Sequence, residues 1–190
     1  VCIDGGTAGA AGLSLLDLDG TPRVSGDQVD IGAYELPLVG GAVAASLASS
    51  GRLALVGEEV TFSAYARPSG DYTYEWDFGD GAGRASGSTV AKSFAATGQY
   101  TVSLVVKSGG TEVARAVRQN YQAVSDGILR VVDGNAGASP PYAGWATAAP
   151  DIRTAVEYAR EGFKILLASG THKMSKPTLI VSKGVTIEGD

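Results

Sequence analysis

The chain has 190 residues, room for one or two ordinary domains, and 44 % hydrophobic residues, enough for a packed core. A net charge of −5, only 18 % charged residues and no Lys/Arg cluster argue against a nucleic-acid partner. The single cysteine, Cys2, excludes an internal disulfide and a thiolate zinc site, and no apolar run approaches the roughly 20 residues of a membrane-spanning helix.

The chain begins at "VCIDGG", with no initiator Met and no basic-then-apolar start. No signal peptide is visible there, and the opening reads as a piece of something longer. Composition then divides the chain into three zones, 1–38, 39–126 and 127–190. The first is rich in Gly and Asp, with short apolar pieces at Leu13–Leu18 and Val29–Ile31.

The middle zone alternates with period 2. In "EEVTFSAYA", Val60, Phe62 and Ala64 alternate with Thr61, Ser63 and Tyr65. In "YTYEWDFGDG", Tyr72, Tyr74, Trp76 and Phe78 take every second position, and a glycine turn follows at once. "STVAKSF" comes next, then "GQYTVSLVVKSG", where Tyr100, Val102, Leu104 and Val106 share a face. "TEVARAVRQNYQAV" reads as a final strand. Successive strand side chains point to opposite faces, so each strand buries one face and wets the other. About seven short strands in roughly 90 residues predict an immunoglobulin-like β-sandwich.

The third zone predicts one helix, "PDIRTAVEYAREG", with Thr147 or a nearby small residue as its cap and Pro150 in its first turn. Ile152, Ala155, Val156 and Ala159 form its apolar stripe, and Gly162 is its expected stop. "KILLASG", "TLIVS" and "GVTIEG" follow as short strands without hairpin signals, a pattern that suits stacked rungs of a solenoid. The predicted fold class is therefore all-β with one short helix near 150–161.

These residues support three resemblances. "YEWDFGDG" with the downstream "KSFAATGQYTVSLVV" resembles the PKD domain, an Ig-like sandwich of extracellular proteins, over roughly residues 42–125. The resemblance implies that Trp76 lies in the core and that Gly79–Gly81 form the turn after the strand. It makes Trp76, Asp77, Phe78, Gly79, Asp80, Gly81 and Tyr100 the structural motif. Ser93 departs from the pattern, because many members carry His there. "CIDGG", "DLDGTPR" and "VDIGAYE" resemble the close of a right-handed parallel β-helix of secreted bacterial proteins. "VVDGNAG", "GWATA", the helix, "ILLASGTH" and "GVTIEGD" resemble the opening of another, of the pectate-lyase-like class. His172 stands there where Tyr is more usual. The expected organisation is the end of one β-helix (1–38), a PKD sandwich (39–126) and the head of a second β-helix (127–190).

The candidate residues divide by chemistry. Asp77 and Asp80 form an acid pair, but catalytic carboxylates aim at one substrate position. An Asp before Gly in a turn more simply bonds its own backbone. Calcium, which prefers six to eight oxygens, is the alternative. Asp17, Asp19, Asp27 and Asp30 lack the spacing of a 12-residue calcium loop and read as turn residues. "GDGAG" has no following Lys and no helix to cradle a phosphate. His172, the sole histidine, has Ser169 nearby and no evident acid to orient it. Tyr65, Tyr72, Tyr121 and Trp145 are candidates for stacking on sugar rings, with core packing as the plainer role of each.

No catalytic, cofactor-binding or metal-binding residue is expected. The expected function is a non-catalytic module of a secreted or cell-surface protein that spaces, orients or adheres. Its expected partners are the neighbouring β-helix domains and a polysaccharide or a surface protein. The alternative is an accessory part of a polysaccharide lyase or hydrolase whose catalytic rungs lie outside this chain. The middle sandwich is expected to be the most stable unit, with flanks that are less ordered or that associate.

Overall fold

A computed structural model of the chain describes residues 43–173 and 181–190. Cys2, Asp17, Asp19, Asp27, Asp30 and the rest of zone 1–38 lie outside the described residues, as do the first three residues of "TLIVS".

Eight strands build the sandwich. They are β1 (Ala44–Ser49), β2 (Leu53–Leu55), β3 (Glu59–Arg67), β4 (Thr73–Asp77), β5 (Arg84–Ser86), β6 (Thr89–Ser93), β7 (Gly98–Ser108) and β8 (Thr111–Ser125). One sheet has the order β1-β3-β6, the other β2-β8-β7-β4-β5. All pairings are antiparallel except that of β2 with β8.

The alternation explains which faces meet. Val60 and Phe62 are buried from the first sheet, while Glu59 and Thr61 face out. Trp76, Val102, Leu104 and Val106, each at 0 % exposure, answer from the second. The aromatic rings form a connected series. Phe62 lies 6.0 Å from Trp76 and 4.8 Å from Phe78, Phe78 meets Phe94 edge-on at 6.2 Å, and Phe94 packs on Tyr100 at 4.5 Å. Such contacts add to what area burial alone supplies. The Tyr100 hydroxyl donates to the carbonyl of Ala96 at 2.8 Å, which ties the turn before β7 to its own strand.

A second, smaller unit follows. It holds β9 (Ile128–Val131), a 3₁₀ turn (Trp145–Thr147), α1 (Ile152–Tyr158), β10 (Lys164–Leu167) and β11 (Thr186–Gly189). The three strands form a wholly parallel sheet with β10 in the middle, where Ile165 pairs with Leu129 and Ile187. Its core comprises Leu129, Val131, Tyr142, Ala149, Ala155, Val156, Ala159, Phe163 and Ile165.

The helix corrects the sequence reading at both ends. Thr147 is not its cap, because it belongs to the separate 3₁₀ turn. Asp151 is the cap, and its carboxylate accepts from the Thr154 N–H at 2.8 Å. That bond satisfies one of the orphan donors at the helix start. Pro150 precedes the cap rather than standing in the first turn. At the other end Ala159 turns extended, with ψ 149°, so the helix stops well before Gly162.

The two units share material. Only Asp126 and Gly127 separate β8 from β9. Leu53 and Leu55 of β2 pack against the second core. Arg160, just past α1, reaches back to Glu58 with two bonds of 2.7 and 3.1 Å, and to the Leu53 carbonyl at 3.2 Å. The fork of a guanidinium matches a carboxylate in this bidentate way.

Candidate functional site

The turn after β4 places the two acids. Asp77 accepts from the Gly79 N–H at 2.9 Å, and Asp80 from the Ala82 N–H at 3.2 Å. Each carboxylate thus closes a small Asx-type turn on its own backbone. Gly79 sits at φ +69°, and a Cβ there would meet the Thr101 carbonyl oxygen at 2.8 Å, so conformation and space both require glycine.

Asp80 also pairs with Lys92 of β6 at 2.5 Å, and both side chains are largely covered. Burial pushes the Asp80 pKa up. The Lys92 hydrogen bond, the Ala82 N–H and the Lys92 charge outweigh it, and the carboxyl ends below its ordinary value. The Lys92 ammonium lies 5.7 Å from the Phe78 ring centroid and 5.6 Å from that of Phe94. Asp80 is therefore held ionised and occupied by a cation of the chain itself. A general acid needs the opposite, a raised pKa and a free proton.

The four aromatics proposed for stacking separate by exposure. Tyr65 on β3 and Trp145 are each 39 % exposed. Tyr72 is half-buried against the sandwich core. Tyr121 departs from the expectation. It is only 9 % exposed, and the Arg52 guanidinium covers its ring at 3.7 Å, so no ring face is left for a ligand. The cause is a change of register in β8. Asn120 adopts φ 48°, the pairing with β7 shifts between Tyr100 and Val102, and beyond that point Tyr121–Ser125 are all buried, with β2 paired along Ala123–Ser125.

One open cleft forms at the sandwich edge, with a volume of about 510 Å³ between residues 72–75 and 86–88. It lies where the chain leaves β5 and crosses to β6 in the other sheet. Gly87 anchors that crossing. Its N–H donates to Tyr74 at 3.1 Å, and its carbonyl accepts from the Trp76 indole at 2.9 Å. Glu75 is the one charged wall residue. A hydrogen bond from Lys107 at 2.5 Å holds its pKa below the ordinary range, with Arg84 at 3.4 Å on its other oxygen. Two cations thus neutralise the acid of this cleft.

His172 and the Tyr142–Tyr158 pair serve packing. Nε2 of His172 donates to the Ala168 carbonyl at 2.7 Å, and no hydrogen bond joins it to Ser169. Tyr158 meets Tyr142 edge-on at 5.1 Å, and burial, then the Tyr142 neighbour, push its pKa up to about 12. Among the described residues no group of three or more His, Cys, Asp or Glu is placed to hold a metal ion, and no helix is long and apolar enough to cross a membrane.

Sequence reasoning missed the Glu58–Arg160 pair, which is separated by 102 positions. Neither residue carries a local signal, since one follows a turn and the other trails a helix.

No curated protein matches the chain. PKD domains are typically extracellular modules of multidomain proteins and are generally non-catalytic. The two-sheet arrangement, the buried Trp76 and the glycine turn after it accord with a family comparison: residues 44–122 match the family model of the PKD domain.

Proposed function

We propose that this segment is a rigid, non-catalytic spacer in a secreted or cell-surface protein, holding the unit after it at a fixed angle to the sandwich. The joint is the observation that carries this reading. A two-residue connection, two leucines shared with the next core and the bidentate Glu58–Arg160 pair are what a fixed orientation requires. Domains joined by a flexible linker have no such shared core.

The parallel ladder of β9, β10 and β11 supports reading 127–190 as the head of a pectate-lyase-like β-helix. In this reading residues 1–38 close a preceding one. A polysaccharide or a surface protein remains the proposed partner of the whole assembly, through exposed rings such as Tyr65. Asp77 and Asp80 are proposed as turn residues, with no catalytic part.

Nitrogen-15 relaxation of the backbone amides tests the spacer. The sandwich and residues 128–167 should report one shared tumbling time. Two distinct times would show beads on a string and overturn the proposal. The non-catalytic part is tested by incubating the chain with polygalacturonate, xylan and β-glucan. No new reducing ends or unsaturated products should appear, and sustained turnover would contradict it.

A further inference from the structure

A second cleft, of about 360 Å³, lies between the two units. Thr97 and Gln99, at the start of β7, form one wall. Ser139, Pro141, Gly144 and Thr147 form the other. We propose that this junction cleft binds a short uncharged saccharide, with Gln99, Ser139 and Thr147 as hydrogen-bonding groups and Trp145 as a ring platform at its rim.

The first argument is the lining. No lining side chain carries a charge, in contrast to the Glu75 wall of the edge cleft, and the nearby Arg130 guanidinium is engaged by the Ala143 and Ile128 carbonyls and lies 3.8 Å from the Asp126 carboxylate. Charge-free walls leave an acidic sugar, a phosphate or a cation without a counter-ion, and desolvating such a group unpaired is costly. Hydroxyls and a carboxamide both donate and accept, which is what a neutral polyol requires. The Gln99 carboxamide oxygen accepts only a long bond across the cleft, 3.5 Å from the Ser139 hydroxyl, which a ligand hydroxyl can displace. The volume stands at the lower end of the roughly 300–1,000 Å³ usual for small-molecule sites. It has room for a sugar or two.

The second argument is that the far wall is held in shape. Arg130 fixes it twice, by its backbone N–H to the Tyr142 carbonyl at 2.9 Å and by its guanidinium to the Ala143 carbonyl. Asn135 clamps the next stretch through the carbonyls of Ala146 and Ala148, at 3.3 and 2.8 Å. Tyr142 is held at φ 59°, a region costly for a bulky side chain. Backbone kept in such a region by surrounding bonds concentrates at ligand sites. A wall fixed before binding loses little freedom on binding.

The third argument is Trp145. It is the neighbour of Gly144 in the wall, it is 39 % exposed, and the Arg130 guanidinium lies 5.8 Å from its ring centroid. A large amphipathic ring borne by the residue next to a wall position of a polar cleft suits the mixed CH and OH faces of a sugar. Its counterpart Trp76 is wholly buried. A fluorescence change on binding therefore reports Trp145.

The test titrates the full 190-residue chain with cellotetraose, xylotetraose, mannotetraose and tetragalacturonate, read by tryptophan fluorescence and calorimetry. At least one neutral tetrasaccharide should bind with Kd below about 1 mM, and tetragalacturonate should bind at least tenfold more weakly. Gln99→Ala and Thr147→Val should each weaken binding about tenfold while the circular-dichroism spectrum and melting temperature stay unchanged. Val113→Ala, exposed at the opposite end of β8 from the cleft, should leave affinity unchanged. Absence of saturable binding by all three neutral sugars overturns the proposal. So does binding indifferent to both cleft substitutions, or tetragalacturonate binding as tightly as the neutral sugars.

Discussion

Trp76→Ala should destabilise the sandwich by about 3–5 kcal/mol, the range for large aromatic truncations in a closed core. Three losses add. The indole is fully buried and touches Phe62 at 6.0 Å and Phe78 at 5.9 Å, so truncation leaves a cavity ringed by stiff aromatics that cannot collapse into it. The indole N–H also caps the Gly87 carbonyl at the crossing between sheets, and that acceptor loses its partner. Finally, Trp76 pairs with Leu104 on one side and Ala85 on the other, so the defect sits where three strands meet. For a domain of this size each kcal/mol lowers Tm by about 4–8 °C. Thermal melting by circular dichroism should show a fall on the order of 15–30 °C. Trp76→Phe keeps most of the ring volume and loses the indole bond, and should cost distinctly less. Equal costs for the two substitutions would show that the ring contacts contribute little.

Ile165→Ala should destabilise the second unit by about 2–5 kcal/mol. The side chain is fully buried at the centre of the parallel sheet, between Leu129 and Ile187. The effect should cross the joint, because Leu53 and Leu55 of the sandwich pack on the same core. Hydrogen exchange is the measurement. Amides of β9, β10 and also β2 should lose protection, while β3 and β6, in the sheet that does not touch that core, should keep theirs. An unchanged β2 would mean that the two cores behave independently. Urea unfolding followed by Trp145 fluorescence gives the stability loss separately.

The strands built from large alternating residues were readable in advance. Phe62, Trp76 and Leu104 each mark a buried face, because bulky apolar residues at every second position fit nothing but a half-buried strand. β1 escaped notice. "AASLAS" has one large apolar residue, Leu47, and its strand conformation comes from pairing with β3 across Ser46–Tyr65 and Leu47–Ala64. β-propensity is mostly context of this kind. The helix stripe was legible from its period, but its cap was misplaced, since Pro150 drew the helix start two positions early and the adjacent Asp151 was overlooked. Tyr121 shows the limit of alternation. One residue at positive φ, Asn120, resets which side faces water, and nothing around "RQNYQ" announces it. The joint and both clefts come from residues far apart in the chain, which no local pattern encodes.

The joint has a built-in pH dependence. The hydrogen bond from Arg160 holds the Glu58 pKa below its ordinary value, assisted by the Leu55 N–H. A lowered folded-state pKa contributes stability that is present in full above the unfolded value and is lost as pH falls through the folded one. Both side chains are more than a third exposed, so the pair orients the units more than it stabilises the fold. The measurement that bears most directly on a fixed joint is the distance distribution between two spin labels, one on each unit. Thr111→Cys at the β7–β8 turn and Glu157→Cys on α1 provide exposed sites, with Cys2 replaced by Ser. At neutral pH the labels should give a single narrow distance, which broadens in Arg160→Ala and broadens in the parent chain once pH drops below the ordinary carboxylate range of about 4. A broad or multiple distribution in the parent chain at neutral pH would contradict the rigid joint.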